Sequence, residues 1–189
     1  MPAQQVRPYT HCKGDYGGGM QIELRQLRGD DVAAHNAGED EATVHWLTGG
    51  HGTVETTAAH FEMLAANLDM GEGKRGFGVW LDGRLAGYVD CDPSGGDGLG
   101  DGDVNISYAV HPWARGRGVA GAAVELMCEF IRQHRIGRRA VIRVEPENLA
   151  SVRVAAKAGF RHVGEVASST ELRPDGTPAV LGIHVLDLE

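Results

Sequence analysis

The sequence predicts an α/β domain of the α+β kind: a mixed, mostly antiparallel central sheet with flanking helices and one β-α-β crossover. Three observations predict it. Segments with the apolar period of strands and of helices follow one another in the order β-α-α-β-β-β-α-β-α-β-β. Asp82-Gly83 is a two-residue hairpin turn between two apolar arms. The nearly continuous apolar run Ala140–Val144 follows a long helical segment and reads as a buried strand.

The elements follow in order. Residues 1–20 are polar, end in Gly17-Gly18-Gly19 and read as a flexible leader, so a single domain is expected over 21–189. Ile22, Leu24 and Leu27 alternate with polar neighbours as in a first strand. Asp30 or Asp31 caps a helix running towards Glu41. A second helix spans Val54–Met70, with Thr53 as its cap and Ala58, Phe61, Leu64, Ala65 and Leu68 on one face. Phe77–Leu81 and Arg84–Cys91 are the hairpin arms, and Asp92–Gly102 is a loop. Asp103–Val110 is a strand with Val104, Ile106, Tyr108 and Val110 on one face. A long helix begins near Gly118 and is ended by Gly137. Asn148 caps a helix that Gly159 stops, and Phe160–Val166 and Val180–Leu188 are the last strands, separated by a loop with Pro174-Asp175-Gly176.

Composition narrows the function classes. At 189 residues, 42% hydrophobic and 23% charged, the chain is of ordinary globular make-up and large enough for one core. No apolar run reaches the roughly 18 residues of a membrane span, and no secretory signal is read in the first 20, so a cytoplasmic location without membrane partners is expected. Cys12, Cys91 and Cys128 are too scattered for a disulfide framework, and the nine histidines show no metal-ligand spacing, so no metal is expected. A net charge of −8 disfavours nucleic acid and leans towards a cationic ligand.

The chemistry is concentrated in Ile106–Ala120. Pro112 forces the chain out of its strand, and Arg115-Gly116-Arg117-Gly118-Val119-Ala120 leads straight into a helix N-terminus. Glycines let backbone N–H groups converge, and the helix start and two arginines favour an anion. The expected product is a pyrophosphate seat. Gly116-x-Gly118-x-x-Gly121 also imitates a dinucleotide fingerprint, with Glu145 as its acidic partner. Five residues between strand and first glycine, and a single β-α-β unit, count against that reading. A Walker-type loop is excluded, since no Gly-Lys-Ser/Thr follows.

Val110-x-Pro112-x-x-Arg115-Gly-x-Gly118-Val-Ala120, then Asn148-Leu-Ala-Ser151 and Lys157-Ala-Gly-Phe160, together resemble the GNAT acyltransferases. Asp40–Leu47 and the helix after it look like the RimJ/RimL-like branch. The resemblance implies a GNAT fold binding acetyl-CoA, with its cofactor-binding residues at Val110, Arg115, Gly116, Arg117, Gly118, Val119, Ala120 and Asn148. Val110 would pair through its main chain with the pantetheine arm. Asn148 would sit near that arm, though a plain helix N-cap is an equal reading. The acceptor implied is a primary amine, either a protein N-terminus or a small molecule, and dimers are common in the family.

Catalytic residues are less defined. The tyrosine that many members place four residues before Gly-Phe is Ala155 here. The RimJ/RimL-like branch implies Ser151 as proton donor to the thiolate, with a backbone-bonded helix residue as the bland alternative. Asp103, Glu165 and His111 are candidate bases, and water alone is a fourth. Trp46, Trp80 and Trp113 line a pocket or pack, and the acidic loop 92–103 receives a cation or simply faces water. A non-catalytic acyl-CoA-binding module and a nucleotide-dependent oxidoreductase are the competing classes.

Overall fold

The computed structural model describes residues 10–16, 19–173 and 176–188. Its centre is an eight-stranded sheet in the order β1-β2-β3-β4-β5-β6-β8-β7. β1 is Thr10–Tyr16, β2 Met20–Arg25, β3 Arg75–Leu81, β4 Arg84–Asp92, β5 Asp103–Val110, β6 Arg139–Val144, β7 Arg161–Leu172 and β8 Pro178–Asp187. Helices α1 (Val32–Asn36), α2 (Glu41–Thr43, continuing as a π turn through Thr48) and α3 (Val54–Met70) separate β2 from β3. α4 (Val119–Gln133) joins β5 to β6, and α5 (Leu149–Lys157) joins β6 to β7. All pairings are antiparallel except β5 with β6, which is the expected single crossover.

The main core lies between the sheet and α4. Val119, Ala123, Val124, Met127 and Ile131 of the helix are at most 1% exposed and pack on Val79, Val89, Val104, Ile106, Ala140 and Ile142. On the other sheet face Leu27, Val32, Phe61, Leu64, Leu85 and Tyr88 form a second cluster under α1 and α3. Val141, Leu181, Ile183 and Val185 form a third. α3 keeps its expected bounds, with Thr53 Oγ1 accepting from the Thr56 amide at 3.2 Å.

Three sequence expectations are corrected. Residues 10–16, expected to belong to a flexible leader, pair with β2 as an added edge strand; residues 1–9 and Gly17-Gly18 lie outside the described residues, as do Pro174 and Asp175 of the last loop. Their polar composition hid β1, because an edge strand draws on backbone hydrogen bonds rather than on an apolar pattern. The helix expected from Asp31 to Glu41 stops at Asn36, and a new one is capped when Asp40 Oδ1 accepts from the Thr43 amide at 3.0 Å.

Gly137 does not end α4, which stops at Gln133 with Arg135 in the left-handed region. It is required by a close approach instead. A Cβ on Gly137 would lie 2.7 Å from the Gly102 carbonyl oxygen and 2.4 Å from a Val104 methyl, at the start of the β5–β6 pairing. Gly137→Ala is therefore expected to lower stability by about 1–3 kcal/mol, the range for overpacking a fixed contact. Urea unfolding reads this directly, and an unchanged midpoint would show that the approach relaxes without cost.

Candidate active site

The site begins where β5 and β6 part. Asp103, Val104 and Asn105 oppose Arg139, Ala140 and Val141, and pairing ends there although both strands continue. The His111 amide donates to the Ala86 carbonyl of β4 at 2.8 Å. By strand alternation, the peptide groups of Val110 and Tyr108 then turn the other way, towards the gap. The Val110 carbonyl accepts from Arg115 Nε at 2.9 Å, so its amide is the group left for an extended ligand.

The bend after β5 has the geometry of an anion seat. Gly116 and Gly118 have φ of 75° and 82°, which only glycine adopts freely, and both are exposed. Gly118 is the N-cap of α4 and no side chain caps it. The first helical bond is from the Ala122 amide to the Gly118 carbonyl, so the amides of Val119, Ala120 and Gly121 precede it at the positive end of a 15-residue helix. A Cβ on Gly116, Gly118 or Gly121 would meet nothing within 4 Å, so the bend opens outwards and is not filled from the core. The Val119 side chain is buried behind it and Arg117 is exposed beside it.

Arg115 has another task than the expected one. Its guanidinium grips Asp40 at 2.6 and 2.7 Å, with Thr43 Oγ1 at 3.3 Å. The Arg115 hydrogen bonds hold the Asp40 carboxyl well below the usual range. The arginine thus ties the bend to the cap of α2, and its charge is paired with Asp40.

Across the gap, α5 starts at Asn148, whose Oδ1 accepts from the Ser151 amide at 3.1 Å. The bland N-cap role of Asn148 is therefore real. Ser151 Oγ lies 2.7 Å from the Tyr108 hydroxyl, joining α5 to β5. Burial pushes the Tyr108 phenol up to about 12. Tyr108 escaped the sequence reading because its ring completes an apolar strand face; its hydroxyl was the only signal.

Two candidate bases do not reach this place. Asp103 is at the other end of β5, roughly 23 Å of extended chain from Val110. Its carboxylate is bound by Arg139 at 2.6 and 2.9 Å and by the Gly100 amide at 2.8 Å. Burial acts to raise its pKa, but the Arg139 and Gly100 hydrogen bonds win and lower it. Glu165 is exposed on β7, opposite Gly182, and does not line the cleft described next. His111 does line it, but burial takes its pKa down to about 4, and Gly38 packs against its ring. It is neutral and weakly basic at neutral pH.

That cleft, of about 510 Å³, lies between the β4–β5 face and the α1–α3 segment. Ser107 and Ala109 of β5, Trp46 of the π turn, and Arg143 of β6 are among its walls. Its floor is ionisable. The Tyr88 hydroxyl donates to Asp90 Oδ2 at 2.9 Å and lies 3.3 Å from His60 Nε2. Lys74 Nζ is 3.6 Å from Asp90 and 3.9 Å from Asp92. Burial raises the Asp90 carboxyl to about 6 and lowers His35 and His60. The Asp90 carboxylate inside the apolar arm Leu85–Cys91 was the sequence signal for this floor. Trp80 and Trp113 instead pack, with Arg25 and Arg84 over their rings at 4.8 and 4.0 Å. The acidic loop is pinned at Asp97, which accepts from Ser168 Oγ and the Ser169 amide. A further hollow of about 470 Å³ lies by the C-terminal ends of α3 and α4, away from the bend.

Asp103→Asn is expected to cost roughly 1–2 kcal/mol, discounted because Arg139 is 40% exposed. The folded pKa of Asp103 is below the unfolded one, so its contribution is complete above about pH 4 and fades as pH falls further. Denaturant midpoints of variant and parent should therefore converge below that pH. A base role would instead appear as lost turnover with unchanged midpoints.

Comparison with known proteins gives a consistent answer. Residues 21–161 match the family model described as an acetyltransferase (GNAT) domain. No curated protein sequence matches significantly. Among solved structures, RimJ of Mycobacterium smegmatis in complex with a CoA disulfide is 25% identical, covering 88% of this chain and 82% of that one, with a TM-score of 0.73. An acetyl transferase of Salmonella typhimurium that modifies the N-terminal serine of a 50S ribosomal subunit protein is 18% identical, covering 89% and 95%, with a TM-score of 0.74. An aminoglycoside acetyltransferase in complex with coenzyme A is 21% identical, covering 88% and 94%, with a TM-score of 0.68. With a family model matching most of its length, a parted strand pair and an outward amide bend at the start of α4, this chain belongs to the GNAT acetyltransferases, enzymes that use acetyl-CoA.

Proposed function

We propose that the chain acetylates a primary amine by direct attack within a ternary complex, the amine entering through the 510 Å³ cleft and the cosubstrate through the parted strands. The single observation that carries the reading is the bend at Gly116–Ala120, with its uncapped helix start and open space where side chains would be. Its amides fit a diphosphate. Acetyl-CoA supplies an activated acetyl thioester, and everything else asked of the protein is positioning and proton transfer.

Each residue then has a physical task. The amides of Val119 and Ala120, with those of Gly116 to Gly118, bind phosphate oxygens, and the positive end of α4 adds to the field. The Val110 amide faces the gap and holds the ligand as an added strand would. A main-chain N–H directed at the acyl oxygen stabilises the charge that develops there. Ser151, polarised by Tyr108 at 2.7 Å, passes a proton to the departing thiolate. This pair favours an enzyme over the non-catalytic binding module, the rival that Ala155 raises.

The acceptor class draws support from two sides. Likeness to the Salmonella enzyme favours a protein N-terminus, and likeness to the aminoglycoside enzyme favours a small-molecule amine. Asp90, Asp92, Glu39 and Glu171 in the cleft suit either as a cation. Among the described residues no helix is long and apolar enough to cross a membrane. A cytoplasmic enzyme is our reading.

Thiol release followed with dithionitrobenzoate, over a panel of peptides and small amines, tests the proposal. Turnover with at least one amine is expected; CoA binding without release would favour the binding module, and thermal stabilisation by NAD alone would overturn the reading. Gly118→Trp is expected to abolish CoA binding by calorimetry while the domain stays folded. Unchanged affinity would displace the seat. Ser151→Ala and Tyr108→Phe should each lower kcat about 10-fold or more with little change in affinity for CoA. Equal rates would remove the pair from the mechanism.

A further inference from the structure

The floor of the acceptor cleft contains an incomplete charge arrangement. Asp90 is 3% exposed, and its Oδ1 is buried with no hydrogen-bond partner among the described residues. Its Oδ2 is served by the Tyr88 hydroxyl at 2.9 Å. One lysine, Lys74, stands between two carboxylates, Asp90 at 3.6 Å and Asp92 at 3.9 Å. Two negative charges thus share one positive charge, in a place where an unpaired acceptor costs roughly 1–3 kcal/mol or more. What is missing is an N–H donor that carries a positive charge.

We propose that Asp90 is the carboxylate that binds the acceptor's ammonium group and takes its proton. The inference rests on the acetyl-transfer reading of the cleft and deepens it. Asp90 pairs in register with Ser107, two residues before Ala109 on the strand that leads into the parted gap. An amine held at Oδ1 therefore lies beside the strand along which the thioester must arrive. The ammonium R–NH3+ gives one proton to Oδ1. The freed lone pair forms the C–N bond at the acyl carbon, and the C–S bond breaks, its electron pair leaving with sulfur. The second nitrogen proton balances the one that the thiolate receives, so an amide, a free thiol and a proton result.

The groups facing Asp90 decide how this acid titrates. Lys74 and the Tyr88 hydroxyl favour its charged form, whereas burial and Asp92 oppose it. His60 of α3 meets it through Tyr88, and His35 of α1 packs edge-on against the Tyr88 ring at 5.9 Å. Arg143 of β6, Glu171 of β7, Glu39 and His111 line the same cleft. Burial carries Asp90 to about 6, close enough to neutrality for a general base.

The experiment compares the parent enzyme with Asp90→Asn and Tyr88→Phe, using a peptide with a free N-terminal serine, spermidine and kanamycin as acceptors. With the best of these, Asp90→Asn should lose about 100-fold or more in kcat/KM, the acidic limb of the pH profile near 6 should vanish, and CoA affinity by calorimetry should not move. Tyr88→Phe removes a hydrogen bond to the carboxylate, so the same limb should shift to higher pH. In parallel, the 13C carboxyl resonance of Asp90 is followed as each amine is added to the CoA-bound protein. A shift that saturates, and is abolished by blocking the amine as its amide, supports the assignment whether or not turnover is seen. Activity of Asp90→Asn within threefold of the parent, or a surviving acidic limb, would overturn it. If no acceptor turns over, the proposed function fails on its own, and a resonance unmoved by all three amines would overturn the Asp90 assignment separately.

Discussion

The structure depends on one interruption: β5 and β6 are hydrogen-bonded at three positions and then separate. A parallel pair buried on both faces ordinarily continues, because unpaired peptide groups in a core are costly. Here the separation is enforced from both ends. At the closed end, Asp103 and Arg139 are locked side chain to side chain, and Gly137 lets the chain pass against Gly102. At the open end, β5 is retained by β4 as far as Val110, while β6 is retained by β8 as far as Val144. Each strand keeps one neighbour, and the freed edges face each other.

The bend and the helices are arranged around that gap. α4 packs on the sheet beside it, chiefly on β5, β4 and β2, and burial of Val119, Ala123 and Met127 holds its N-terminus close after the end of β5. The bend could not be stabilised by capping without closing the seat. The Arg115–Asp40 grip holds it from outside, fastening the bend to the segment that lines the far wall of the cleft. One ion pair therefore couples the orientation of the bend to that of the segment lining the cleft. Its replacement by a lysine would lose the two-pronged geometry, since only guanidinium meets both carboxylate oxygens at once.

Much of this was legible in the sequence, for definite reasons. The long helices, the Asp82-Gly83 hairpin and the apolar strands follow from apolar period and turn chemistry, and the outward bend from glycines placed at a helix start. What was not legible depends on contacts between residues far apart along the chain. Asp103 and Arg139 are 36 residues apart, and Arg115 and Asp40 are 75 apart, so neither pair is visible in local pattern. Without its partner, Asp103 reads as a free acid and Arg115 as a free cation. Tyr108 was assigned by its ring when its hydroxyl mattered. β1 has no apolar signature at all, and Gly137 gave the right kind of signal with the wrong cause, a close contact where a helix stop was expected.

The two faces of the sheet explain why polar groups are tolerated at its centre. On the α4 face the packing is apolar and continuous, and it carries the stability of the domain. The opposite face can then hold Asp90, Tyr88, His60, His35 and Lys74 together, a cluster that weakens the fold, since each buried polar atom is desolvated. Among the described residues four buried side-chain atoms are without a hydrogen-bond partner, Asp90 Oδ1, His35 Nδ1, Arg75 Nε and Trp80 Nε1, and the first two belong to residues lining the cleft. Such violations concentrate where a ligand completes the arrangement. The division of labour is thus between a face packed with apolar side chains throughout and a face where an apolar cluster shares the surface with buried ionisable groups.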